Sequence, residues 1–319
     1  MMRSNQRFLC QSSFQHTAVL TQEILSYLPD DPSAIIDFTL GGGNHSKAIL
    51  EARPNAFLYG VDRDEEAIEA ASLQLTNFHS RTKFIHNSFS SALQYFQSKP
   101  IKADFILADL GVSSHQLTSG ERGFSFRSEG PLDMRMDRQS GLTAAQIINQ
   151  FSEQQLAQII SKYGEERFAN RIAQKIVAQR DQKEILGTRE LSQCITDAIP
   201  KKFQGKKTHP STKTFQALRI YINEELQELN LLLEGVIDLL NSDGIVAIIS
   251  FHSLEDRQVK RRFRELEFPC KCPKHLPVCI CGKKAVGKSL HKKAIRPNEE
   301  ECSRNPRSRS AKLRIFKKI

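Results

Sequence analysis

The stretch AIIDFTLGGGNHS, residues Ala34 to Ser46, decides how the chain folds. Ala34, Ile35, Ile36, Phe38 and Leu40 form a short, β-branched apolar run of strand length. The residues that follow, HSKAILEA, carry apolar positions at helical spacing. The reading is strand, glycine turn, helix. Gly41, Gly42 and Gly43 lack a Cβ, so the turn can take positive φ and a ligand can lie against its backbone amides.

About twenty residues on, a second apolar run, AFLYGV, ends in Asp62. An acidic residue at the end of the second strand is where doubly wound α/β proteins hold the hydroxyls of a ribose. The glycines are contiguous, and no third glycine opens the helix, so the dinucleotide pattern G-x-G-x-x-G fails. A nucleoside with a small charged tail fits better than a pyrophosphate. That points to S-adenosylmethionine, with Asp37 and the glycine loop near its amino-acid part; the competing reading is a strained turn in an α/β enzyme of another kind.

Outward from this pair the pattern repeats. HTAVLTQEILSYL, residues 16–28, has helical spacing and is placed beside the first strand. EEAIEAASLQLTNF is a second amphipathic helix with acidic residues in its first turn. TKFIHN reads as strand three and SALQYF as a helix after Phe89, which is either core or a cover for an adenine face. ADFILADL is strand four, and it delivers Asp109 to its carboxyl end, the edge where open α/β sheets bind ligands. Four such steps predict a parallel, doubly wound sheet.

Asp109 is either a turn or cap residue or a functional carboxylate. In methylation of an amine attached to a base, the nitrogen lone pair is delocalised into the ring. An acceptor for the amine N–H localises it for in-line attack on a sulfonium methyl, a matter of positioning and charge placement. Asp109, with Ser113 or Ser114 nearby, can supply that acceptor.

From Gln116 to Pro210 the connection is too long for a simple βα link. TSGERGFSFRSEGPLDMRMDRQSG lacks periodicity, whereas Thr143–Arg180 and Thr188–Ile199 are helical, which predicts a helical insertion that recognises substrate. Arg122, Arg127, Arg135 and Arg138 with Phe124 and Phe126 suit stacking and phosphate contacts on single-stranded RNA; ion pairs with Asp133 and Asp137 are the structural alternative. The expected division is a first methyltransferase part over 1–115, the insertion over 116–210 and a second part with a basic tail over 211–319.

In that last part, Thr208–Leu240 reads as one or two long helices, with Asp243-Gly244 as the turn out. GIVAIISFH is strand five ending in His252, and SLEDRQVKRRFREL a basic helix capped by Ser253. SRNPRSRSAKLRIFKKI is an Arg-rich loop, with Asn305 to Arg309 beside the sheet, and then a closing edge strand.

The 319 residues are 39% hydrophobic and 26% charged, a globular composition. No apolar stretch approaches membrane length, and MMRSNQRFLCQSSF lacks a signal-peptide core, so a cytoplasmic location is expected. The net charge of +10 is concentrated: from Arg257 onward 20 Lys and Arg stand against 5 Glu. A polyanionic partner such as RNA follows naturally from that excess.

Two C-terminal motifs compete for attention. Gly282 to Ser289, GKKAVGKS, matches the Walker pattern letter for letter, but no strand precedes it and LHKKAIRP is a poor helix, so it reads as a basic loop. Cys270, Cys272, Cys279 and Cys281 form two C-x-C pairs that are either a structural zinc site or thiols in a basic loop; the usual zinc spacing is C-x-x-C.

HTAVL, FTLGGGNHS, DLGVSSHQL, RGFSF, PLDMRMD, YGEERFANRIA, HPSTKTFQALRIYIN, ISFHSLEDR and NPRSRSAKLR run in order over nearly the whole chain. Together they resemble the bacterial 16S ribosomal RNA cytidine N4-methyltransferase family, RsmH or MraW. The resemblance implies S-adenosylmethionine-dependent N4-methylation of a cytidine in the decoding region, on a class I (Rossmann-like) methyltransferase sheet interrupted by a helical domain. It implies cofactor contacts at Gly43, Asn44, His45, Asp62, Phe89, Asp109 and Gln116. It makes 16S ribosomal RNA or the small subunit the partner, leaves room for a homodimer, and requires no metal for the chemistry. Asn44 stands where the family usually has Gly, so Asn is expected to take a left-handed conformation there. HTAVL lacks the proline often found after its His. D-L-G-V-S-S replaces the Asp/Asn-Pro-Pro-aromatic motif of other amino-methyltransferases, so Asp109 as acceptor transfers by position only. His252 is a weaker candidate, as a general base.

The same cofactor site could serve DNA or protein amino-methylation. From another class, a ribosome-assembly factor would bind RNA through the basic tail and use the Rossmann-like domain as a scaffold. Asp62 and Asp109 together at two strand ends favour the enzyme.

Overall fold

The computed structural model describes residues 18–205, 208–273 and 280–319. Seven strands form one sheet: β1 (Ala34–Asp37), β2 (Phe57–Asp62), β3 (Thr82–His86), β4 (Ala103–Asp109), β5 (Leu240–Ser250), β6 (Gly287–Ser289) and β7 (Lys312–Lys318). Their order is β3-β2-β1-β4-β5-β7-β6. The first five are parallel, with Ile35 opposite Leu58 on one side and Phe105 on the other, and Ile106 opposite Val246. β7 runs antiparallel to both β5 and β6. The doubly wound sheet expected of a class I methyltransferase is therefore present, and its order reverses between β1 and β4.

Alternation along each strand loads both faces. In β4, Phe105 and Leu107 join a cluster with Ile35, Leu58, Ala247 and Ile249, while Ile106 and Ala108 face Ile36, Val61, Val246 and Ile248. Strands buried on both faces read as continuous apolar runs, which is why ADFILAD was legible. Helices α1 (Thr21–Ser26), α2 (Asn44–Ala52) and α3 (Glu65–Gln74) supply Ile24, Ile49, Leu50 and Ala71 to the first cluster. α4 (Phe89–Gln97) adds Leu93 and Phe96 to the second. The amino-terminal residues 1–17 lie outside the described residues, and Ala18 to Leu20, the end of HTAVL, precede α1 instead of forming part of the expected 16–28 helix.

After β4 the chain leaves the sheet through α5 (Ser114–Thr118), α6 (Ala144–Gln150), α7 (Glu153–Gly164), α8 (Ala169–Arg180) and α9 (Thr188–Ala198). Ser113, Thr143 and Ser152 each open a helix with a capping box closed by a Gln three residues on. These helices share a core of their own, containing Ile147, Leu156, Ile160, Ile172, Ile176, Leu191 and Ile195. That core continues past residue 210 into α10 (Thr212–Ile222), which contributes Phe215, Ala217 and Leu218. α11 (Glu225–Gly235) and α12 (Ser253–Glu267) return to the sheet, with Leu229, Leu232, Val259 and Phe263 in its second cluster; α13 (Glu299–Arg304) precedes β7. Among the described residues no helix is long and apolar enough to cross a membrane.

Five local expectations are corrected. Asp243 and Gly244 lie inside β5, which begins at Leu240; the register shifts there and Asp243 takes φ 61. β5 ends at Ser250, so His252 is outside the strand and itself caps α12, accepting from Glu255 N–H at 3.4 Å, in the place expected of Ser253. β7 is an inner strand, because the GKS of the Walker-like motif forms β6 and covers its outer edge; a strand where the phosphate-binding pattern needs a helix removes the nucleotide reading. Asn44 is the first residue of α2, and the left-handed positions are Gly41 (φ 49) and Gly43 (φ 81). Arg122, read either as an RNA contact or as an ion-pair partner of Asp133 or Asp137, is buried and pairs instead with Asp64.

Candidate active site

The carboxyl ends of β1, β2 and β4 border one cavity of about 600 Å³, at the point where the strand order reverses. Asp62 is fixed at the end of β2 by two backbone donors: Gly41 N–H at 2.8 Å to Oδ2, and Asp64 N–H at 2.9 Å to Oδ1. The glycine turn thus locks onto the strand-two carboxylate. Burial pushes the Asp62 carboxyl up to about 6, opposed by those two amide bonds. The carboxylate still faces the cavity and can accept further hydroxyl donors.

Gly41, Gly42, Asn44 and His45 line the cavity, so the amino end of α2, with its uncapped first turn, faces it. Such an end favours a carboxylate ligand. Asp37 stands behind this turn, accepting from Ser46 Oγ at 2.7 Å and from Thr39 N–H at 3.0 Å; burial raises its pKa. Gly43 is not on the wall. Its N–H donates to Leu40 O at 2.8 Å, its φ of 81 starts the helix, and an added Cβ would meet Ala71 at 3.3 Å.

Asp109 and His45 form the polar centre. His45 Nε2 lies 3.5 Å from Asp109 Oδ2, beyond hydrogen-bond geometry. Both ring nitrogens of His45 and Oδ1 of Asp109 are buried without a hydrogen-bond partner. Buried polar atoms are almost always paired, so three orphans on one cavity wall mark the place of a ligand. Thr39 Oγ1, 2.6 Å from Asp109 N–H, ties the end of β4 to β1.

Phe89 is half-buried at the start of α4, edge-on to Phe38 at 6.1 Å, and gives the cavity an apolar wall suited to a base. Gln116 lines the cavity too, but its amide is engaged: Oε1 accepts from Ser113 N–H at 2.9 Å and Nε2 donates to Asp64 Oδ2 at 2.6 Å. It braces the wall. Arg122 donates to the same Asp64 oxygen at 2.8 Å, to Glu66 at 2.7 Å and to two carbonyls, of Arg135 and Met136. Arg135 pairs with Asp133 at 2.7 Å, the structural alternative for this stretch. Phe124 is buried and Phe126 stacks on His209 at 4.6 Å, while Arg127 is exposed.

The sequence reading missed the far wall. Arg219 holds Glu225 through two 2.7 Å bonds across the α10–α11 junction, and Glu228 accepts from Ser90. The one signal was a lone basic residue inside the apolar run ALRIYI. Glu255 is buried, which opposes ionisation, but His252 and the Phe251 N–H outweigh this and hold its carboxyl below the usual range. Asn305 and Arg307, from the Arg-rich loop, also reach the cavity. Cys270, Cys272 and Cys281 lie elsewhere, between α12 and β6, and Cys279 lies outside the described residues.

The family model described as the MraW methylase family matches residues 13–319. A ribosomal RNA small subunit methyltransferase H from Geobacter sp. (strain M21) is 48% identical over 309 residues, covering 96% of this chain and 99% of its own. The protein of the same name from Clostridium botulinum (strain Kyoto / Type A2) is 45% identical over 309 residues, with the same coverages. Among solved structures, a putative rRNA-methylase from Clostridium thermocellum matches with TM-score 0.43 at 10% identity, covering 94% of this chain and 93% of that one. With a match that takes in β1 to β7 and every residue of the cavity wall, the chain belongs to the MraW methylase family.

Proposed function

We propose that this protein methylates the exocyclic N4 of a cytidine in the decoding region of 16S ribosomal RNA. A methylase family and a cavity built for a nucleoside agree on S-adenosylmethionine as cofactor. The relatives' names supply the substrate class, ribosomal RNA of the small subunit. The observation that carries the amine chemistry is the orphaned Asp109 carboxylate beside the orphaned His45 ring.

The residues present fit the cofactor. Asp62 would accept the two ribose hydroxyls, Phe89 would cover the base, and the amino end of α2 would face the carboxylate of the amino-acid tail. When bound, S-adenosylmethionine supplies an electrophilic sulfonium methyl. Asp109 Oδ1 accepts one N–H of the incoming amine and draws its lone pair out of conjugation with the ring. It also fixes the nitrogen in line with the methyl, which is where proximity and orientation lower the barrier. Once the nitrogen carries the methyl it is cationic, and it surrenders one proton to the carboxylate or to water. The buried His45 ring lies beside Asp109, 3.5 Å from its Oδ2.

The test is methyl transfer from radiolabelled S-adenosylmethionine to small subunits that lack the modification, followed by nucleoside analysis. Label in N4-methylcytidine at a single site of the decoding region is the expected result. RNA binding with no cofactor consumed would replace the enzyme with an assembly factor.

A further inference from the structure

Three thiols converge far from the chemistry, in the segment joining α12 to β6. We propose that Cys270, Cys272 and Cys281 bind one structural zinc ion. Their Sγ atoms all lie within 4.8 Å of one another. In a tetrahedral thiolate site with Zn–S near 2.3 Å, sulfurs stand about 3.8 Å apart, so closure needs a shift of about 1 Å at most.

The backbone suits the task. Pro269 and Pro273 flank the first pair and fix φ on either side of it. Gly282, with φ 63, puts a left-handed residue immediately after Cys281. From Arg264 to Val286 none of the described residues is buried, and Phe268 and Ile280 are 66% and 79% exposed. Its ends are joined by Val286 N–H donating to Leu266 O at 3.1 Å. A stretch whose described residues form no apolar core and that gathers three soft ligands has the make-up of a metal knuckle, where binding energy does the work of a core. Thiolate softness favours zinc over oxygen-seeking cations. The ion would hold β6 in register on β7 and so cover the edge of the sheet.

The full chain is produced with zinc in the medium, dialysed against metal-free buffer containing a non-thiol reductant, and assayed for metal by mass spectrometry. Wild type should retain about one zinc per chain. Cys272→Ser/Cys281→Ser should retain less than a tenth of that, and Cys302→Ser should retain it all. Cobalt(II) added alone to zinc-stripped wild type should give a thiolate-to-metal charge-transfer band that the double variant lacks. Folded, reduced wild type with less than a tenth of a zinc per chain and no cobalt band overturns the assignment, whatever the variants do. Zinc retained undiminished by the double variant also overturns it.

Discussion

At the scale of the residue, the proposed ribose contact makes the Asp62 carboxyl the group through which pH acts on cofactor binding. Burial raises its carboxyl to about 6, so below that pH the group is protonated and has lost an acceptor. Hydroxyl donors favour the ionised form, so binding expels the proton. Cofactor affinity should therefore be constant well above pH 6 and weaken below it, by up to tenfold per pH unit. Titration calorimetry in buffers of different ionisation enthalpy will show proton release near pH 6 if this holds. Asp62→Asn should flatten the dependence and raise Kd by about tenfold to a hundredfold, the loss of a charge-assisted hydrogen bond of about 1.5–3 kcal/mol. Asp62 and Asp109 were legible because strand ends in an α/β sheet announce themselves. For Gly43 and Gln116 sequence gives position, while only the fold reveals that Gly43 N–H and the Gln116 amide are already bonded inside the protein.

At the scale of the element, the turn after β1 separates two kinds of glycine. Gly43 has φ 81 and its added Cβ would press on Ala71 at 3.3 Å, whereas nothing lies within 4 Å of a Cβ on Gly42. Gly43→Ala should cost about 1–2 kcal/mol through the left-handed backbone alone. Gly42→Ala should leave stability within about 0.5 kcal/mol. Chemical denaturation of the two variants measures the contrast. Strands β1 and β4 and the 244–250 part of β5 could be read as apolar runs because they are buried on both faces, whereas β3, at the sheet edge, keeps Lys83 and His86 exposed. The C-terminal strands could not be ordered in that way. β6 is three residues long and its pairing with β7 is a long-range fact, so an inner strand looked like an edge. His252 shows a subtler limit: capping by an imidazole is decided by the backbone angles at that residue, which a neighbouring Ser equally satisfies on paper.

At the scale of the whole molecule, the two cores are joined by one buried guanidinium. Arg122 reaches from the helical segment to Asp64 and Glu66 at the start of α3, and Gln116 shares the Asp64 oxygen. Arg122→Met should destabilise the protein by about 3–5 kcal/mol, because it strands a buried carboxylate. Thermal and urea unfolding would register the loss; a change under 1 kcal/mol would mean that this guanidinium does not hold the layers together. Length alone points to an insertion after β4, but it does not say which arginines face outward: of Arg122, Arg127, Arg135 and Arg138 only Arg127 and Arg138 are exposed, and Arg307, from the C-terminal loop, lines the cavity. Arg307→Ala should weaken RNA binding, with the salt dependence of log K falling by about 0.7 if the contact is to a single-strand phosphate.

The central claim is that Asp109 acts on the amine. It is tested by single-turnover methyl transfer with Asp109→Asn at saturating cofactor and small subunit, with the cofactor Kd measured in parallel. The rate should fall by at least about a hundredfold while Kd moves less than tenfold, as expected when a group that orients and accepts charge in the transition state is lost. A rate equal to wild type at saturation would contradict it and would leave Asp109 as a cofactor contact only.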